Sequence, residues 1–430
     1  MDLVVEGKIY HKGMFEDCCI GVENGKILEV KKILKGDNHI KFKKKIILPA
    51  GVDAHVHFRD PGLIQKEDFG TGSQAAAFGG VSCVVDMPNT IPQTTTLISL
   101  EEKINIAKDK AYVDFGVFSG VTSDNINFLE KLGKICSGFK VFLGNTTLSL
   151  MFDKKKLREA IDLIGLTGKP VFFHAEDEEC LIKYKSHETG LSDHMRFRPA
   201  SCEELSINEI ISAAKGLNTN IHICHVSSCE GLEILKERAA NISCGVTPHH
   251  CLFSVEKNMG SQSLFKVNPP IRTSFDKESL FNGLKNGVVD ILESDHAPHT
   301  SDEKDVDFDE APSGVPGVET TYPLFLYLAK KDMLSFQRLT SLFCAKPAEI
   351  LGVSKGRIQA GYDADFIVVD LDKEIRIKSE HLHSKCGWTP FEDWPAIFPS
   401  DVFIRGQQII EDYNMIGKPG FGKYISEHEG

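Results

Sequence analysis

AGVDAHVH (50–57), VSCVVDM (81–87), YVDFGVFSG (112–120), GFKVFLG (138–144), PVFFHAED (170–177), NIHICHVS (220–227), ISCGVTP (242–248) and VVDILESD (288–295) are eight short apolar runs following one another along the chain. Most are apolar at consecutive positions, the pattern of a strand covered on both faces. Between many of them lie amphipathic stretches of helical length, among them 153–166, 202–216 and 228–239. Such β–α alternation predicts a parallel sheet wrapped by helices. Eight repeats over roughly 250–300 residues fit a closed (β/α)₈ barrel of the TIM type better than an open sheet.

Working outward from these runs, two more helical stretches occupy 322–330 and 335–345. Beyond Gly352 the chain turns strand-like, in DADFIVVDLD (363–372) and SDVFIRGQQIIED (400–412). The first 50 residues are strand-like too, and Asn24-Gly25 between CCIGV and ILEV is a strong hairpin signal. We therefore expect residues 51–354 to form the barrel. Residues 1–50 and 355–430 should form a composite small β domain, a β-sandwich built from both ends of the chain. The acidic stretch SDEKDVDFDE (301–310) follows the eighth run and is read either as a solvated loop or as a lid over the barrel mouth.

Composition narrows the class of function. The 430 residues are 41% hydrophobic and 26% charged, with a net charge of −12 and no long basic block. Nucleic acid and anionic membrane are therefore poor partners, while a local basic pocket for a small anion stays compatible. Twelve cysteines without a C-x-x-C pair indicate neither a zinc ribbon nor a disulfide framework, so a reducing cytoplasm is the expected setting. The start, MDLVVEGKIYHKG, lacks the pattern of a signal peptide. No apolar run nears the ~18 residues of a membrane span.

The chemistry gathers at the strand ends. Asp53-Ala54-His55-Val56-His57 closes the first run, and side chains at i and i+2 share a face, so both imidazoles can reach one metal. Lys140 lies in the fourth run, His174 in the fifth, His225 in the sixth and Asp295 in the eighth. One histidine in an apolar strand is ordinarily a packed core residue. Four histidines, an aspartate and a lysine at one end of a barrel, where barrel active sites lie, are a site. Lys140 fits poorly as an ammonium, which repels a divalent cation, but after reaction with CO₂ it becomes an anionic bidentate carbamate. His222 and Cys224 alternate with His225 and are expected to face away from the metals. His249, His250 and His296 adjoin the site as candidate supports, and Glu176 and Asp177 are either ligand supports or a helix start. A further metal on Cys224 and His250 is not expected, since Gly245 offers no carboxylate.

DAHVHFRDPG (53–62), DMPNT (86–90), SDHAPHT (294–300) and GVPGVET (314–320), in this order, resemble the dihydroorotases of the cyclic amidohydrolase superfamily. The likeness runs from about residue 45 to the C-terminus and includes GYDADFIVVD (361–370) and CGWTPFEDW (386–394). Carried over by position, it implies that His55, His57 and Asp295 bind one metal. Carboxylated Lys140 would bridge to a second held by His174 and His225, with two Zn²⁺ per subunit. Arg59 and Asn89 would grip a substrate carboxylate, with His57, Asn268, His299, Ser313 and Gly314 as further substrate contacts and Asp295 as general base. The implied reaction is reversible hydrolysis of L-dihydroorotate to N-carbamoyl-L-aspartate, in de novo pyrimidine (UMP) formation. Allantoinases and dihydropyrimidinases (hydantoinases) are the sister alternatives, and a non-catalytic scaffold is the alternative from another class. The implied partner is a small molecule. A homo-oligomer, or association with another enzyme of pyrimidine formation, stays open.

Overall fold

The computed structural model describes residues 1–145, 150–257 and 260–425. Eight strands, Gly51–Val56, Val81–Asp86, Asp114–Gly120, Gly138–Phe142, Val171–His174, Ile221–Ile223, Ile242–Val246 and Ile291–Leu292, lie side by side in sequence order. Every neighbouring pair is parallel. A bridge between Val56 and His296 joins first to last, with the His57 N–H donating to the His296 carbonyl at 2.7 Å, so the sheet closes into a barrel. The expected eightfold alternation is therefore the fold.

The helices begin where their capping residues stand. Asp68, Thr96 and Thr273 each cap a helix reciprocally with the residue three positions on, and Ser228 caps Cys229–Leu235. Each such cap contributes about 1 kcal/mol by satisfying an otherwise orphaned N–H. Ala200–Ala214 lies two residues before the expected 202–216, Leu157–Gly165 starts four residues after the expected 153, behind a short turn over Lys154–Lys156, and Phe336–Thr340 runs on into a wider turn over Ser341–Ala345.

The second sheet takes strands from both ends of the chain. Its order is Asn414–Met415, Gln407–Glu411, Asp401–Ile404, Phe366–Val369, Asn38–Pro49, Leu3–His11, Met14–Glu23 and Lys26–Lys31. The seam is the antiparallel pairing of Phe366–Val369 with residues 46–49. Asn24 and Gly25, at φ +51° and +78°, turn the hairpin between Met14–Glu23 and Lys26–Lys31, as the Asn-Gly signal implied. Val5, Ile20, Ile47, Phe366 and Phe403 pack into the sheet's apolar core. Buried Lys355 pins this sheet to the barrel by pairing with Asp114 at 2.5 Å and Asp365 at 2.8 Å. Part of the C-terminal chain lies on the barrel instead: Trp388 Nε1 donates to the His299 carbonyl, Phe391 stacks on Phe253, and Tyr424 bridges to Phe115.

Two of the cysteines are joined: a disulfide ties Cys180 to Cys202, near the starts of two helices, and the other ten are free. Sequence spacing gave no hint of this pair, because the fold alone brings them together. Among the described residues no helix is long and apolar enough to cross a membrane.

Candidate active site

At the C-terminal mouth of the barrel two sets of donors converge. His55 Nε2 and His57 Nε2 lie 3.4 and 3.1 Å from the same Asp295 oxygen. Across the mouth, His174 Nδ1 faces His225 Nε2 at 3.2 Å. Ligands about 2.0–2.2 Å from one tetrahedral ion stand about 3.3 Å apart, so both spacings are those of donors sharing a cation. Each outer nitrogen but one is engaged. His55 Nδ1 meets Glu293 at 3.1 Å, His57 Nδ1 meets Asn89 Oδ1 at 2.6 Å, and His174 Nε2 meets Glu176 at 2.8 Å. His225 Nδ1 is buried and has no hydrogen-bond partner among the described residues.

Burial also sets the protonation that ligation needs. It pushes His57 down to about 3 and holds His174 and His225 below the ordinary imidazole value, so these rings are neutral. Burial alone would raise Asp295, but the imidazoles of His55 and His57 beside it outweigh that and hold the carboxyl well below its usual range. The donor set of neutral imidazoles and a carboxylate suits a divalent metal.

Lys140 is fully buried beneath these donors. Its Nζ lies 3.0 Å from Cys224 Sγ, and among the described residues it has no carboxylate partner. A buried ammonium without an anion is costly, so the free amine is out of place here. The thiol contact corrects the expectation that Cys224 and His222 face away. Cys224 Sγ groups with nitrogens of His55 and His225, and also with His222 and Glu293. The strand ends at Ile223 and His225 has φ +37°, so two-residue alternation no longer holds by residue 225.

Above the donors, Arg59, Asn89, Asn268, Ser313 and Gly314 share the cavity wall with His55, His57, His174, His225 and Asp295, while Lys140 lies beneath it. Arg59 is buried, with φ +62°, and its Nε donates to the Pro298 carbonyl at 3.2 Å. Among the described residues it forms no salt bridge. Burial lowers it to about 10, which leaves it charged at neutral pH. His299 stands behind Arg59 rather than on the wall: its Nε2 lies 3.1 Å from the Ser313 carbonyl and 3.3 Å from Arg59, and its Nδ1 lies 3.1 Å from Lys66. Asn268 is held by His194 at 3.0 Å.

Residues 46–409 match the family model described as the amidohydrolase family. The chain belongs to the amidohydrolase family. Among relatives of this amidohydrolase, a dihydroorotase of Methanosarcina acetivorans is 36% identical, over 97% of this chain and 94% of the relative. A dihydroorotase of Thermoplasma volcanium is 38% identical over 99% and 98%. Among solved structures, an L-hydantoinase (dihydropyrimidinase) from Arthrobacter aurescens superposes with a TM-score of 0.94 at 26% identity, covering 99% of this chain and 100% of that one.

The acidic stretch of this amidohydrolase after residue 300 is riveted from inside by two buried lysines. Lys266 Nζ donates to the Phe308 and Asp309 carbonyls, and Lys304 Nζ to those of Lys266, Pro312 and Gly314. Gly314 has φ +143°, and an added Cβ would meet the Ala297 carbonyl at 2.4 Å, so only glycine lets the loop close here. Glu293 was missed in the sequence, although its place two residues before Asp295 was the available clue. Of the candidate supports, His250 bonds Thr247 and the Pro269 carbonyl, and His296 accepts from the Gly317 N–H. Asp177 caps a helix while Glu176 holds His174, so each of that pair's two readings is realised once.

Proposed function

We propose that this amidohydrolase is a dihydroorotase, interconverting L-dihydroorotate and N-carbamoyl-L-aspartate. The observation that carries the reading is Arg59: a buried guanidinium on the cavity wall, beside the donor cluster and, among the described residues, without a carboxylate partner. A planar fork held from behind by the Pro298 carbonyl and His299 suits a substrate carboxylate, which dihydroorotate has and hydantoin and allantoin lack. The full-length similarity to dihydroorotases supports the same choice.

His55, His57 and Asp295 would hold one divalent ion, and His174 and His225 a second. Lys140, carboxylated by CO₂ with loss of a proton, would bridge them, which also supplies the anion its buried position lacks. Zinc suits this set of imidazole and carboxylate donors. When bound, the two ions would acidify the attacking water and polarise the ring carbonyl. Arg59 and the Asn89 amide hold the ring by its carboxylate, which fixes the scissile amide over the donors. Asp295 takes the proton of the attacking water and returns it to the departing ring nitrogen. The loop closed by Lys266, Lys304 and Gly314 shields the reacting bond.

The solved hydantoinases keep a second reading in view, hydrolysis of neutral rings. Metal-loaded protein offered dihydroorotate, hydantoin and allantoin in parallel decides between them. Dihydroorotate should be opened at least about tenfold more efficiently, one charge-assisted contact being worth about 1.5–3 kcal/mol. Preference for a neutral ring would overturn the assignment.

A further inference from the structure

His174 and His225 come from different strand ends, yet one buried chain of polar groups joins their loops. Glu176 accepts from His174 Nε2 at 2.8 Å, and Arg198 grips both oxygens of that carboxylate, Nε at 3.0 Å and Nη2 at 2.5 Å. The Arg198 carbonyl in turn accepts from Arg272 Nη1 at 3.0 Å, while Arg272 Nε donates to Ser227 Oγ at 2.8 Å. Ser227 lies two residues after His225. The Glu203 carboxylate anchors that loop, accepting from the Ser227 and Ser228 N–H groups at 2.8 and 3.0 Å. All of these side chains are buried. The disulfide Cys180–Cys202 ties the same two segments four residues beyond Glu176 and Arg198.

The other donor set is oriented by Glu293 at His55 and Asn89 at His57, and Glu293 also accepts from the His225 N–H. Arg198 touches neither. We propose that Arg198 is a positioning residue for one metal site only, orienting His174 through Glu176 and, through its own carbonyl and Arg272, fixing the distance from His174 to His225. The proposal rests on the two-metal reading above. Outer partners of ligating histidines typically change metal affinity by about 10–100-fold, and because Arg198 bonds none of His55, His57, Glu293 or Asn89 among the described residues, that effect falls on the His174 site.

The test is titration of metal-stripped protein with Zn²⁺, reading both dissociation constants and the rates of release to a chelator. Wild type should take up two ions. Arg198→Met strands a buried carboxylate, so the double variant Arg198→Met with Glu176→Gln, which removes both charges, is measured beside it. In the double variant one site should weaken by about 10–100-fold while the other holds within about twofold. Arg198→Lys, which keeps a cation against Glu176, should recover part of the loss. Equal weakening of both sites in a folded double variant, or none, overturns the role of Arg198. A wild type that binds fewer than two ions overturns the two-metal reading itself.

Discussion

Asn89 Oδ1 lies 2.6 Å from His57 Nδ1, which fixes both residues at once. The amide oxygen must accept, so His57 carries its proton on Nδ1 and presents Nε2 toward Asp295. The Asn89 NH₂ is then turned toward the cavity as a donor. Two substitutions separate these roles. Asn89→Ala loses both, and catalytic efficiency should fall by about 10–100-fold with weaker metal retention. Asn89→Asp still accepts from His57 but sets a negative charge against the substrate carboxylate. It should keep its metal and raise KM. A normal KM in Asn89→Asp would mean the side chain only orients His57.

The carbamate proposed at Lys140 rests on a buried amine that, among the described residues, meets the Cys224 thiol and the Phe142 ring but no carboxylate. Lys140→Ala should lose most turnover and at least one metal ion, measured by elemental analysis. Short carboxylic acids should restore part of both by occupying the bridging position. Full metal content and turnover in Lys140→Ala would remove the carbamate.

The barrel was legible because strand and helix periods alternate eight times, and because most of the candidate ligands sit at the ends of the apolar runs. The pair His55 and His57 was legible from two-residue spacing alone. Other features were not. His225 and Asp295 have φ of +37° and +44°, so their side chains are aimed by turns rather than by strand alternation. That is why Cys224 was assigned to the wrong face. A non-glycine residue held there costs of order 1–3 kcal/mol, and such strain gathers at functional sites. The long-range partners, Arg198 with Glu176 and Cys180 with Cys202, depend on how two loops meet. No local pattern carries that.

His250 predicts a pH dependence separate from catalysis. Its two nitrogens are occupied, at 2.7 Å by Thr247 Oγ1 and at 2.9 Å by the Pro269 carbonyl, and burial pushes it down to about 4. The unfolded chain binds a proton near 6.5, before the folded one does. This contribution is therefore complete above pH 6.5 and is lost as pH falls toward 4. At pH 5 the loss is about 2 kcal/mol. His250→Gln should flatten the stability difference between pH 7 and pH 5 by about that amount in urea unfolding of metal-free protein. An unchanged difference would show that His250 takes up its proton over the same pH range in the folded and unfolded chain.

Arg59 separates a dihydroorotase from its neutral-ring sisters. The guanidinium is positioned by the left-handed turn after His57, by the Pro298 carbonyl and by His299 behind it. Arg59→Met keeps bulk and removes the charge and the paired donors. Losing a charge-assisted contact of about 1.5–3 kcal/mol should lower kcat/KM for dihydroorotate by at least about tenfold. Metal content should hold, because Arg59 lies outside the donor set. Hydrolysis of a neutral ring should start low and barely change, since nothing on that ring meets the guanidinium. The decisive quantity is the ratio of the two efficiencies before and after substitution. A ratio that stays put would mean that Arg59 does not read the carboxylate, and the choice of dihydroorotate over hydantoin would lose its physical ground.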